Sequence, residues 1–255
     1  MRSMRNLLSA NSVCLILILF LGLPVEAAKE SPVRAAIPAG LPPPLLFEKD
    51  EELSGIVPEY TKALADFLDR QLTMSLLPRN RITMYLHKGA VDFLCYTNYE
   101  WADARDTYLW ADALFYKREV ILGRAPMPKQ LKEFKGKILG TMLGYSYPKL
   151  DSAFADKTVH REDGPNEEAN LNKFRNNHIQ YLIIDEIFLD YYRKQNPDID
   201  KGRERFLLQQ YPVSCSVSKK GRVTVKQLNQ AIAKLKSSGK LQEIFRKYGS
   251  DIKTP

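Results

Sequence analysis

The side chains best suited by type and spacing to do chemistry lie in one stretch, Thr97-Asn-Tyr-Glu-Trp-Ala-Asp-Ala-Arg105. Tyr99 and Trp101 offer faces that can stack on a ligand or cover a cation. Arg105 offers a planar guanidinium able to grip a carboxylate through two parallel hydrogen bonds. Hydroxyls at Thr97 and Thr107 add further polar contacts. The plain alternative for Arg105 is a surface arginine paired with Asp103 or Asp106, and for Trp101 and Trp110 it is burial in a core. Gly144-Tyr-Ser146 reads as a glycine turn ahead of a helix, where backbone N–H groups suit an anion, or as an ordinary strand-to-helix turn. Asp185 and Glu186 follow an apolar run, where acids either cap the next helix or face a ligand.

The elements that must position these residues follow from periodicity. Val91 to Tyr96 is a short apolar run with the length and bounds of a buried strand, and the polar, aromatic stretch begins where it ends. In open α/β sheets, ligands bind where strands end and loops begin. Upstream, Val33–Ile37 and Thr73–Leu77 read as strands. Residues 38–44 form a proline loop and Glu48–Glu52 an exposed turn. Tyr60, Leu64, Phe67, Leu68 and Leu72 give one buried helix face, and Asn80–His87 reads as a second helix. Strand, helix, strand, helix, strand implies parallel strands with helical crossovers. Downstream, Pro126–Phe134 is expected to be helical, Lys137–Leu143 a strand, Lys149–Phe154 and Asn166–Asn176 helices, and Ile179–Ile184 a strand. Arg205–Val217 reads as an extended return strand, and Val225, Leu228, Ile232 and Leu235 mark an amphipathic helix. Gly239 breaks it before a last helix carrying Leu241, Ile244, Phe245 and Tyr248. Two long links, Phe115–Leu122 and Gln209–Val217, flank residues 123–208, the connectivity of two lobes joined by a double hinge.

The first 28 residues read as a signal peptide rather than fold. Arg2 and Arg5 precede an apolar run from Val13 to Leu23, and Val25-Glu-Ala27 offers small residues for cleavage near Ala27/Ala28. The run is short of the roughly 20 residues a spanning helix needs, and Cys14 precedes most of it, whereas a lipoprotein cysteine would follow it. The chain is therefore expected to be exported to the periplasm. Cleavage removes two arginines and one glutamate, taking the formal net charge from +8 to +7. The basic residues are dispersed, without an arginine-rich run or nucleic-acid motif, so the excess reads as a solvated surface and no nucleic acid is expected as partner. Of the two remaining cysteines, each inside a strand-like run, an exported setting permits a disulfide and burial permits free thiols. His87, His160 and His178 lack zinc-ligand spacing, and neither metal nor cofactor is expected.

Taken together, these motifs resemble the family 3 periplasmic solute-binding proteins, the polar amino-acid receptors of ABC importers, over nearly the whole mature chain. Gly55-Ile-Val-Pro-Glu59 is similar to that family's entry to its first helix, and Gly89-Ala-Val-Asp92 to its approach to the third strand. Trp110-Ala-Asp-Ala-Leu-Phe-Tyr116 is similar to its approach to the hinge. Ile184-Asp185 with Tyr191-Tyr192, Gln210-Tyr-Pro-Val-Ser214 and the closing Leu241–Tyr248 also match. The resemblance implies a two-lobed, type II (Venus-flytrap) α/β fold. Lobe 1 would comprise residues 29–117 and 212–255, and lobe 2 residues 118–211, with hinges near 116–122 and 209–213. It implies a monomeric receptor that captures a small carboxylate-bearing ligand, an amino acid or similar, for an inner-membrane ABC permease. Arg105 would hold the carboxylate and Asp185 an ammonium. Thr97, Tyr99, Trp101, Gly144 and Ser146 would complete the site. It also implies a disulfide between Cys95 and Cys215, because the returning strand of this fold lies beside the third. The chain departs from the family where Thr97 stands eight residues before Arg105 and where Tyr99-Glu-Trp101 replaces small hydroxyl residues. Two other roles fit the same fold: a periplasmic interaction or sensor-accessory protein with little ligand affinity, and a dehydratase-like enzyme using Glu100 or Glu186 as a general acid.

Overall fold

The computed structural model describes residues 31–255 except positions 51 and 103. The expected signal peptide and its cleavage site lie outside the described residues. In chain order the strands and helices are β1 (Val33–Pro38), β2 (Phe47–Lys49), β3 (Glu52–Ser54), α1 (Ile56–Phe67), β4 (Leu72–Leu77), α2 (Arg79–Lys88), β5 (Phe93–Thr97), β6 (Leu109–Trp110) and β7 (Phe115–Arg124). There follow β8 (Ile138–Met142), α3 (Asp151–Ala155), β9 (His160–Gly164), α4 (Glu167–Arg175), β10 (Tyr181–Asp185), α5 (Glu186–Gln195), β11 (Arg203–Val217), α6 (Val225–Ser237) and α7 (Lys240–Lys247).

One sheet runs in the order β4-β1-β5-β11-β7-β10-β8-β9, with β6 paired to β11. β4, β1 and β5 are mutually parallel, as are β10, β8 and β9. Between these two parallel groups run β11 and β7, paired antiparallel from Arg203↔Arg124 to Val213↔Phe115. Each group has apolar cover on both faces, which suits parallel strands. In the first, Val33, Ile37 and Phe93 pack with Tyr60 and Leu64 of α1, Leu228 and Ile232 of α6, and Phe245 of α7. Ala36 and Leu94 point the other way, to Ile82 and Leu86 of α2. In the second, Val120, Leu122, Leu182 and Ile184 meet Leu171, Phe174 and Leu189, while the alternating Ile121 and Ile183 meet Phe134, Leu139 and Tyr147. This is the mixed α/β, type II binding-protein architecture.

Local chemistry explains several boundaries. Thr224 and Gln227 form a capping box that starts α6. Gly55 enters α1 at φ 109°, and a Cβ there would stand 2.8 Å from the Pro44 carbonyl oxygen, so the turn admits no larger residue. Asp92 is wholly buried and its carboxylate accepts from the Arg34 side chain at 2.8 Å and from the Arg34 and Arg222 amides at 2.7 and 2.9 Å. It thereby ties β1, the start of β5 and the turn after β11.

Four expectations change. Leu72, expected on the buried face of the first helix, opens β4 instead, because α1 ends at Phe67. Residues 126–130 are not helical; only Leu131–Phe134 makes a 3-10 turn, because Pro126 and Pro128 lack N–H groups and bias their predecessors away from helix. Glu48 and Glu52 belong to the β2–β3 hairpin rather than a bare turn. His160–Gly164, not foreseen as a strand, pairs with β8 as β9; its polar sequence hides it because it closes the sheet edge and stays largely exposed.

Candidate functional site

A cavity of ≈ 390 Å³ opens where the strands of both parallel groups end. From the first group come Leu41 to Leu45 after β1, Arg79 after β4, Tyr96 at the end of β5, and Glu100 and Trp101 beyond it. From the second come Tyr145, Ser146 and Pro148 after β8, Glu167 after β9, Asp185 at the end of β10 and Phe188 in α5. The two crossing strands supply the floor: Lys117 and Glu119 from β7 and Tyr211 from β11.

The floor is a row of cross-strand neighbours. Asp185 stands opposite Glu119, Glu119 opposite Gln209, and Lys117 opposite Tyr211, so all present one face. The Lys117 ammonium lies 2.7 Å from Glu119 Oε1 and 3.1 Å from Asp185 Oδ2, and the three side chains are only 13%, 10% and 8% exposed. Burial opposes the lysine's charge, but Asp185 and then Glu119 outweigh it and hold the ammonium well above its ordinary pKa. Asp185 Oδ1 accepts from the Ile187 amide at 2.8 Å and that of Phe188 at 3.4 Å, capping α5. Glu119 Oε2 accepts from Gln209 Nε2. Burial, reinforced by the charge of Asp185, lifts the Glu167 carboxyl to about 8, so it is mostly protonated at neutral pH and able to donate. Burial similarly raises the Tyr96 phenol.

Above this floor the walls mix apolar and aromatic side chains with the polar Arg79, Glu100, Ser146 and Glu167. Trp101 packs edge-on against Tyr211 at 5.3 Å between centroids and lies 6.5 Å from Tyr96. Behind the floor, Arg205 joins Asp190 and Asp200 at 2.9 and 2.8 Å, and Arg118 joins Glu186 at 2.5 Å, bracing α5 against β7 and β11. Glu186 is thus spent on this brace.

Of the residues singled out in the sequence, Glu100, Trp101, Ser146 and Asp185 line the cavity together, whereas Glu186 does not. Ser146 also donates to Asp151 at 2.8 Å. Thr97, at the last position of β5, is paired with Ser214. Gly144 makes its turn at φ 77° outside the lining. Tyr99 and Arg105 sit on the outside: the Arg105 guanidinium lies over the Tyr99 ring at 5.0 Å, and Tyr99 packs on Trp110. The guanidinium that does line the cavity belongs to Arg79. Cys95 and Cys215 are joined as a disulfide. Among the described residues no group of three His, Cys, Asp or Glu side chains is placed to hold a metal, and no helix is long and apolar enough to cross a membrane.

The family model for bacterial extracellular solute-binding proteins, family 3, matches residues 33–251. No curated protein matches the chain. Among solved structures, the L-cystine solute receptor of Neisseria gonorrhoeae, in its unliganded open conformation, is similar at TM-score 0.71 and 18% identity, over 88% of this chain and 96% of that one. A polar amino-acid ABC uptake transporter substrate-binding protein from Streptococcus thermophilus gives 0.70 and 17%, over 87% and 88%. An ancestral arginine-binding protein bound to arginine gives 0.60 and 19%, over 87% and 99%.

Proposed function

The chain belongs to the bacterial extracellular solute-binding proteins of family 3, and from that premise we propose that it is an exported, periplasmic receptor that captures a small carboxylate-bearing solute for an ABC importer. The observation that carries this reading is the cavity itself. Its lining comes from the carboxyl ends of strands in both parallel groups, the place where open α/β sheets bind ligands, and its volume suits a small molecule. A ligand touching both groups favours whichever state brings them together, so binding and closure are coupled. The crossing strands β7 and β11, the only described strands shared by the two groups, serve as the paired hinge. Arg79 meets the carboxylate at the mouth. Trp101, Tyr145 and Tyr211 cover the ligand's body, protonated Glu167 supplies a donor from the second group, and the Ser146 hydroxyl, which donates to Asp151, offers its oxygen as an acceptor. The role is that of a binding protein, as in the family to which the chain belongs.

The test is a thermal-shift screen of the purified chain, refolded to strip carried-over ligand, against amino acids, polyamines, small carboxylates and cyclic acids. A true ligand raises Tm with concentration because it binds only the folded state, and the rise is lost in Trp101→Ala and Arg79→Ala. A panel without any dose-dependent shift removes this reading.

A further inference from the structure

The acid pair on the cavity floor is already occupied. Lys117 donates to Glu119 and to Asp185 at 2.7 and 3.1 Å, and the remaining oxygens of both carboxylates are also engaged. Glu119 Oε2 takes Gln209, and Asp185 Oδ1 takes the first amides of α5. An incoming ammonium would therefore have to share acceptors that Lys117 already holds and stand beside a like charge within a buried setting. The lysine cannot be spared either, since its removal leaves two buried carboxylates facing one another. An ammonium carries three N–H groups, and these two bonds leave one of them for an acceptor in the cavity.

We propose that Lys117 is a built-in ammonium that fills the subsite made by Glu119 and Asp185, so that the cavity takes carboxylic acids without an amino group in preference to zwitterionic amino acids. This rests on the receptor reading above and narrows its ligand class. Lys117 is then the specificity-determining residue. It supplies from the chain the charge that a ligand would otherwise bring, and it offers one donor to a ligand oxygen. Arg79, at the mouth, is left to face the ligand's carboxylate.

The experiment compares wild type, Lys117→Ala and Lys117→Met by thermal shift. Truncation to alanine removes a three-carbon ammonium arm, so propylammonium is its probe and n-propanol the uncharged control. Truncation to methionine keeps the stem, so ammonium chloride is its probe against sodium chloride. At about ten times its dissociation constant, each probe is expected to raise the Tm of its own variant by about 3 °C and to leave wild type unmoved. In parallel, wild type is titrated with matched pairs: phenylalanine and 3-phenylpropionate, leucine and 4-methylpentanoate, arginine and 5-guanidinopentanoate. The des-amino member is expected to bind wild type at least tenfold tighter than its parent, with the preference reversed in Lys117→Ala. An alanine variant that folds only when refolded with propylammonium also supports the filled subsite. An amino-acid member that binds wild type as tightly as its des-amino partner overturns the proposal and leaves the receptor reading intact. So does failure of both probes to move their variants. Rescue by the probes with no carboxylate binding to wild type supports the filled subsite and overturns the receptor reading together with the ligand class drawn from it.

Discussion

Two guanidiniums compete for the carboxylate role, and their surroundings separate them. Arg79 lines the cavity, whereas Arg105 stacks on Tyr99 outside it. Arg79→Ala is expected to weaken ligand binding at least tenfold, as loss of a charge-assisted bond should, and Arg105→Ala less than twofold; calorimetric titration of both variants decides between them. Glu167 carries a second prediction. Its carboxyl is lifted to about 8 by burial and by Asp185, so the folded state holds a proton that the unfolded chain releases near the ordinary glutamate value. The stability this gives is fully present at low pH, below the unfolded pKa, and drains away as pH rises through about 8. Glu167→Gln, which cannot ionise, is expected to flatten that decline in Tm between pH 6 and 9, and an unchanged slope would refute the assignment. The sequence made the strand-end residues Trp101, Ser146 and Asp185 visible because a polar or aromatic residue after an apolar run is conspicuous. Lys117, Glu119 and Tyr211 were missed because they lie inside strands. The signal was present, since Lys117 and Glu119 are two apart and therefore share a face, but nothing in the sequence says which face looks into a cavity.

At the scale of elements, Asp92 shows how one side chain fixes three segments. Burial alone would raise its carboxyl, but hydrogen bonds from Arg34, then from the Arg222 and Arg34 amides, hold it below the usual aspartate value. Its stabilisation is thus present above that usual value and is lost as pH falls through the lowered one. Asp92→Ala is expected to cost about 3 kcal/mol, the scale for stranding a partly buried ionic partner, read as an earlier midpoint in urea. A cost below about 1 kcal/mol would mean the latch is dispensable. The Gly89-Ala-Val-Asp92 motif that pointed to the fold is therefore structural in its acid. Elements with strong periodicity were legible: β5, α6 and α7 fall within a few residues of their expected positions, and α1 starts as expected but ends at Phe67, short of Leu72. The elements that were not are those whose sequence carries no apolar rhythm. β9 is polar because it is an edge, and the 126–130 segment combined helix-like spacing with prolines that forbid helix. A sheet edge and a proline loop are settled by tertiary context, which periodicity does not record.

For the molecule as a whole, β11 is the strand that must be held to one strand group while it runs on to the other. β11 runs for fifteen residues. At its carboxyl end it pairs with β5, and over the rest it pairs with β7, with a register shift between Leu207 and Gln209. The disulfide joins Cys215 of β11 to Cys95 of β5, both buried in the first group's core, across 120 residues of sequence. It therefore closes a loop containing the entire second group, which the unfolded chain would otherwise be free to explore. Cross-links over loops of this length stabilise small exported domains by about 2–5 kcal/mol, equivalent to roughly 10 °C in Tm for a chain of this size. Cys215 lies just beyond Val213, the last β11 residue paired with β7, so the link fixes β11 to the first group at the end of that ribbon and, on the hinge reading proposed above, leaves the ribbon's own pairing untouched. Replacing both cysteines by serine is expected to lower Tm by about 10 °C while leaving the affinity for any ligand found within about twofold. Affinity falling in step with stability would show instead that the disulfide shapes the cavity, through its neighbour Tyr96.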